Sequence, residues 1–405
     1  MSRPDKKWSS VPTPDVALVG PYPAGGERHG GGSGVASYTA NLAHALAGAG
    51  ATVTVTAARE PGEPAAGHDG GVRVERHYDL GPRALPDAVA AAAATGAPVV
   101  HVQHELFLYG GPTAVPGLVP ALRRRSRPTV VTLHQVVDPV EVNGSFTALH
   151  RVKAPAALAR LGVAGVQDAV RRLSDAVIVH EPAFAQHVPG ACVIPHGVET
   201  PPRPDRAAAR DTLGLDDRFT VLCFGFLAPY KGLETALDAA ALAAPAVQVV
   251  VAGGEHPRLA NRDPYESELR ARGAGHARFT GRVPDADVAA WFAAADLALF
   301  LYPRPFSSSG ALALALAYRT PFLVSPELGR CTGAPPEIVV ERDANRVAER
   351  LRALATAPAE LEQLRAATDR LCRERAWPEV ARRHLDVYEE VNRARRPARR
   401  RVRST

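Results

Sequence analysis

Phe219-Thr-Val-Leu-Cys-Phe-Gly-Phe-Leu-Ala-Pro-Tyr-Lys-Gly-Leu-Glu-Thr-Ala-Leu237 holds a strand, a glycine turn and a helix start in one short stretch. The run 219–224 is apolar but for Thr220 and shows no polar alternation, which suits a strand covered by helices on both faces. Gly225 lets the chain turn sharply, and Lys231-Gly232 stand where a helix is predicted over 233–244. A lysine there adds a point charge where helix-start amides already attract phosphate. An ordinary surface lysine is the bland alternative; strand, glycine, lysine-glycine and helix in that order favour an anion site.

Outward from this stretch the same alternation recurs. Downstream, strands are predicted at 247–252, 277–280, 297–301 and 321–324, with helices at 285–295 and 310–318. Upstream, 16–20, 52–57, 99–102, 129–133, 176–179 and 192–194 read as strands, with a helix at 34–47. Thr200-Pro-Pro-Arg-Pro-Asp205 separates the two series and suits a linker. The expected fold is therefore α/β, with two Rossmann-like, doubly wound domains facing across a cleft and ligands at the carboxyl ends of their strands. The domains are expected at 1–204 and 205–376. A last helix, at 377–396, carries one apolar stripe of Val380, Leu385, Val387, Tyr388 and Val391.

Composition excludes several function classes. The chain has 405 residues, 46% hydrophobic and 22% charged, as in a soluble globular protein. No apolar run of about 18 residues is long enough to span a membrane, and the charged start, without an apolar region behind it, does not read as a secretory signal. The formal charge is +6, but 393–405 alone holds seven arginines and no acid, which leaves −1 for the rest. The basic character thus belongs to a tail, expected to be disordered over 397–405, and nucleic-acid binding is not expected. The four cysteines form no CxxC pair, in keeping with a reducing cytoplasm and no disulfide or structural zinc.

Four further motifs carry candidate chemistry. Gly30-Gly-Gly-Ser-Gly34 follows a strand and opens a helix, so Gly32, Ser33 and Gly34 can approach an anion closely. It is not a strict GxGxxG, and no acid closes the strand at 52–57; a dinucleotide site, and with it an oxidoreductase, is disfavoured. Val99-Val-His-Val-Gln-His-Glu105 and Thr132-Leu-His134 end parallel strands and should direct His104, Glu105 and His134 toward the cleft. No second cluster with ligand spacing accompanies them, so no metal is expected. In Tyr302-Pro-Arg-Pro-Phe-Ser-Ser-Ser-Gly-Ala-Leu312, residues Ser307, Ser308, Ser309 and Gly310 open a helix and can receive phosphate through hydroxyls and amides. With Lys231 they could hold a diphosphate between two helix starts.

Taken in order, Ile194-Pro-His-Gly-Val198, the 224–237 segment, Val251-Ala-Gly-Gly-Glu-His-Pro257, Phe279-Thr-Gly-Arg-Val283 and 306–324 resemble the successive signatures of glycosyltransferase family 4. His101-Val-Gln-His-Glu105 with Gly110-Gly111 is similar to a bacterial branch often described as mannosyltransferases. The resemblance implies the GT-B architecture, a final helix crossing back to the N-terminal domain, and metal-independent transfer from a nucleotide-sugar with retention. It implies that Lys231 binds the donor diphosphate, with the glycine loop beside it and Gly225, Phe226 and His256 in the donor site. Arg282 and Val283 would border the base; His134 would lie near the transferred sugar and the acceptor. Two departures stand out: Phe226 replaces a common arginine, and Phe306 and Leu314 occupy the places of two glutamates, the second of which usually holds the ribose.

The expected activity is that of a cytoplasmic hexosyltransferase, GDP-sugar preferred and UDP-sugar next, with His134 and Lys231 catalytic and a small soluble acceptor of the antibiotic type. Arginine- and alanine-rich coding suggests a high-GC, actinobacterial-type source. A homodimer is possible on this reading. The rival functions are a cell-envelope glycan or lipid glycosyltransferase, a GT-B epimerase or phosphorylase, and a non-catalytic nucleotide-sugar binding protein.

Overall fold

A computed structural model of the chain describes residues 15–25, 34–149, 152–254, 265–303 and 309–395. It divides into two compact units: Met1–His180, Ala185–Gly197 and Trp377–Thr405 form the first, Glu181–Phe184 and Val198–Ala376 the second.

The first unit is built on an eight-stranded sheet. In chain order its strands are β1 (Val16–Val19), β2 (Val53–Ala58), β3 (Ala66–Asp69), β4 (Val72–Tyr78), β5 (Val99–His104), β6 (Thr129–Leu133), β7 (Ala176–Val179) and β8 (Cys192–Val193). In space they run β3-β4-β2-β1-β5-β6-β7-β8. Every residue of β1, β2, β5 and β6 is buried, the condition the continuous apolar runs anticipated for strands covered on both faces. Sequence reasoning missed β3 and β4. Their pairing is antiparallel, with Ala66 opposite Glu75, and β4 alternates buried and partly exposed positions. A search for unbroken apolar runs passes over such an edge pair.

The second unit has a five-stranded sheet of β9 (Phe219–Phe224), β10 (Val247–Ala252), β11 (Ala277–Gly281), β12 (Leu297–Phe300) and β13 (Phe322–Val324), in the order β11-β10-β9-β12-β13. All its pairings are parallel. In both sheets the winding reverses beside the first strand, between β1 and β5 and between β9 and β12. Loops diverge at such a switch point and leave a crevice at the carboxyl ends of the strands.

Four helices bear on function: α1 (Gly34–Gly48), α2 (Leu233–Ala243), α3 (Gly310–Ala317) and α4 (Trp377–Arg395). The stretch 285–295 is not one helix: a 3-10 turn at Asp285–Asp287 precedes a helix at Val288–Ala294. Asp205 is a helix cap rather than free linker, its carboxylate accepting from the Ala208 amide at 2.9 Å. Helix α4 follows the second unit in the chain but belongs to the first, where Trp377, Val380, Val387, Tyr388 and Val391 share a core with Tyr38, Leu42 and Leu46 of α1. Its buried stripe contains His384; Leu385, expected there, is only partly buried. All four cysteines are free thiols. Among the described residues no helix is long and apolar enough to cross a membrane.

Candidate active site

The site of the second unit begins at the β9/β12 switch point. Gly225 leaves β9 at φ 111°, its amide donating to the Ala252 carbonyl at 3.0 Å. A Cβ on Gly253 would lie 1.9 Å from the Gly225 carbonyl oxygen, so the loops after β9 and β10 touch backbone to backbone. A 3-10 turn at Pro229–Lys231 then leads into α2 through Gly232, at φ 64°. A Cβ on Gly232 would come within 2.0 Å of the Leu301 carbonyl oxygen. Only glycine lets this helix start so close to the end of β12.

Lys231 lies between these backbones. Its Nζ donates to the Tyr302 hydroxyl at 2.8 Å and sits 4.9 Å from the centre of that ring and 5.6 Å from that of Tyr230. Burial disfavours the ammonium and brings its pKa down to about 8. The Tyr302 hydroxyl is 2.9 Å from Ser309 Oγ, which caps α3 by accepting from the Leu312 amide at 3.2 Å. Lys231 before α2 and Ser309 before α3 are thus joined through one phenol.

A cavity of about 620 Å³ opens here. Its wall includes Gly225, Phe226, Lys231, Arg282, Val283 and Gly310, all named from sequence as donor-site residues. Tyr230, Asp285 and Leu314 line it as well. Neither Tyr230 nor Asp285 was singled out from sequence, and Tyr302, quoted within a motif, was given no role. A rule that follows glycines, serines and charged residues passes over a phenol placed just after a strand.

In the first unit, the His134 amide donates to the His104 carbonyl at 2.9 Å, which holds the ends of β5 and β6 level. His134 Nε2 lies 2.9 Å from Gln103 Oε1, and its Nδ1 lies 3.2 Å from Nε2 of His180. His180 Nδ1 in turn donates to the Ile194 carbonyl at 3.0 Å. Tyr38 of α1 packs against His134, His180 and His196, with ring centres 4.6, 5.0 and 4.9 Å away. Behind them, His101 bonds to Tyr388 of α4 and to Thr132, each at 2.7 Å. Burial holds His134 and His101 well below the usual histidine range and brings His104 and His384 down to about 4. Glu105, half-buried, is raised for the same reason. His101, His180 and His384 were absent from the sequence-derived site, because only the fold brings three strands and α4 around one point. Among the described residues no group of three His, Cys, Asp or Glu side chains is arranged to hold a metal.

Gly34 is the first residue of α1. Gly32, Ser33, His256, Ser307, Ser308 and the tail at 397–405 lie outside the described residues.

Comparison with known proteins decides what such a pair of units is. A glycosyl transferase 4-like domain matches residues 33–200, and a glycosyl transferases group 1 domain matches residues 205–369. The chain is a glycosyltransferase of the GT-B type. Solved structures agree on the fold of this glycosyltransferase. Sucrose-phosphate synthase from Thermosynechococcus elongatus is 23% identical, with 94% of this chain and 99% of that one covered, at a TM-score of 0.68. HepE of Anabaena in complex with UDP is 16% identical over 93% of this chain and 100% of its own, at 0.63. AviGT4, involved in avilamycin A biosynthesis, is 18% identical over 94% and 98%, at 0.56. No curated protein matches the chain by sequence.

Proposed function

We propose that this glycosyltransferase transfers a hexose, with retention, from a nucleotide-diphosphate sugar bound in the second-unit cavity to a small soluble acceptor. One observation carries the reading. A desolvated ammonium, Lys231, stands beside the start of α2 and is linked to the cap of α3, in a cavity of about 620 Å³ at the sheet's switch point. Two helix starts and one cation suit a diphosphate. As the sugar departs, charge grows on the leaving nucleoside diphosphate, and groups already in place to receive it lower the barrier without a metal. A leaving-phosphate oxygen can take the acceptor proton on the same face, so no pair of carboxylates is required.

GDP-sugar is the first donor proposed, by likeness of the His-Val-Gln-His-Glu motif to the mannosyltransferase branch. The Asp285 carboxylate on the wall beside Arg282 and Val283 supports it, since guanine presents N1–H and N2–H donors to a carboxylate. UDP-sugar comes second, supported by the HepE complexes with UDP and UDP-glucose. His104, Glu105 and His134 are proposed to meet the acceptor, and the part AviGT4 plays in avilamycin A biosynthesis favours an acceptor of that kind.

A thermal-shift series with GDP, UDP, ADP and dTDP tests the donor, since a ligand that binds only the native state raises Tm. The expected result is a rise with GDP that Lys231→Ala abolishes. A rise with none of the four would sink the proposal, and a rise with UDP alone would move it to UDP-sugars.

A further inference from the structure

We infer that Tyr302 is a positioning residue of the diphosphate site: its hydroxyl ties the Lys231 ammonium to the Ser309 hydroxyl and sets both for one anion. The inference rests on Lys231 being a diphosphate ligand, and it adds a group that neither the sequence motifs nor the family comparisons assign.

Packing determines where the phenol sits. Tyr302 follows β12 with its ring buried, edge-on to Phe300 and to Tyr230, each with ring centres 6.1 Å apart. Its oxygen accepts from Lys231 Nζ, and a phenol that accepts from a cation becomes a stronger donor. Its own proton therefore goes to Ser309 Oγ, which also accepts from the Leu312 amide. Ser309 then has both lone pairs engaged and its own O–H left to give, while Lys231 keeps two N–H groups. The result is three donors of fixed position for phosphate oxygens.

The same chain governs the protonation of Lys231. Lys231 Nζ donates to an acceptor oxygen 2.8 Å away, while burial disfavours its ammonium form. The other groups around Lys231 include Cys223, which opposes the effect of burial on the ammonium. The Cys223 thiol of β9 is itself pushed up to about 12 by burial; the Tyr230 phenol is also raised by burial; Arg282 and Asp285 lie on the wall of the same cavity.

The test compares wild type, Tyr302→Phe and Lys231→Ala, with Tm as the check of folding. Tyr302→Phe keeps the ring and its packing and removes only the hydroxyl. Two quantities are measured from pH 6 to 10: the Kd for GDP and for UDP, and the rate at which acetic anhydride labels Lys231, read by mass spectrometry. In Tyr302→Phe the labelling midpoint should fall by about one pH unit. The Kd should rise about tenfold at pH 7, and by more at pH 8.5. If Lys231→Ala loses binding while Tyr302→Phe keeps the wild-type midpoint and Kd, the role given to Tyr302 is wrong and the diphosphate site stands. If Lys231→Ala binds both nucleotides as wild type does, the diphosphate reading fails and this inference with it.

Discussion

Removal of the Lys231 ammonium should have a pH signature that removal of a structural lysine would lack. Burial lowers the pKa of this side chain to about 8, so at pH 7 about nine molecules in ten carry the charge and at pH 9 about one in ten. Loss of one preorganised donor to a developing oxyanion costs on the order of a hundredfold in rate, or ~3 kcal/mol. The kcat/KM for donor reports ionisations of the free enzyme. In wild type it should therefore be level up to about pH 7 and fall tenfold per unit above about pH 8. Lys231→Ala has no such limb. The ratio of wild type to variant should thus be about a hundred at pH 7 and shrink to about ten at pH 9. Release of nucleoside diphosphate below saturating donor, followed from pH 6 to 9.5, measures it. Tm should change little, because the Tyr302 hydroxyl keeps Ser309 as partner. A ratio that stays constant across this range, or a variant as fast as wild type, refutes the assignment of Lys231 as the charged donor.

Three further outcomes follow from the geometry. Gly232→Ala combines a backbone at φ 64° with a Cβ 2.0 Å from a carbonyl oxygen, and should lose on the order of 2 kcal/mol or more in urea unfolding; an unchanged midpoint would contradict the close approach of α2 to β12. His134→Ala should lower kcat about a hundredfold and leave nucleotide Kd near the wild-type value; a matched loss in both would move His134 to the donor. His104 and His384 are buried with pKa values near 4, below the unfolded value of about 6.5. The unfolded chain binds the extra protons between those limits, so their contribution is complete above about pH 6.5 and is lost as the pH falls toward 4, at about 3 kcal/mol each. Urea midpoints at pH 7 and pH 5 should differ accordingly, and His384→Gln should reduce the difference; equal midpoints would show that these rings are not held neutral.

Much of this architecture could be read along the chain because parallel strands covered on both faces require unbroken apolar segments. Val16–Val19 is such a segment, and Phe219–Phe224 is interrupted only by Thr220. The glycines of the second unit were legible for a related reason: the turns after β9 and β10 admit backbone where a side chain would collide, and glycine alone permits that. What escaped detection followed other rules. The antiparallel β3–β4 edge alternates in polarity, and His384 is a polar residue inside an apolar stripe, satisfied there by the Val380 carbonyl at 2.7 Å.

The primary structure by itself determined the alternation of strand and helix, the break between two series, and the chemical kinds placed at strand ends, because these depend on neighbours close in the chain. Only tertiary structure decided which of those ends converge. Tyr302 is 71 residues from the lysine it touches, and Tyr388 is 287 residues from His101. The order of strands in a sheet and the packing of a helix against it set such meetings, and no local periodicity encodes them.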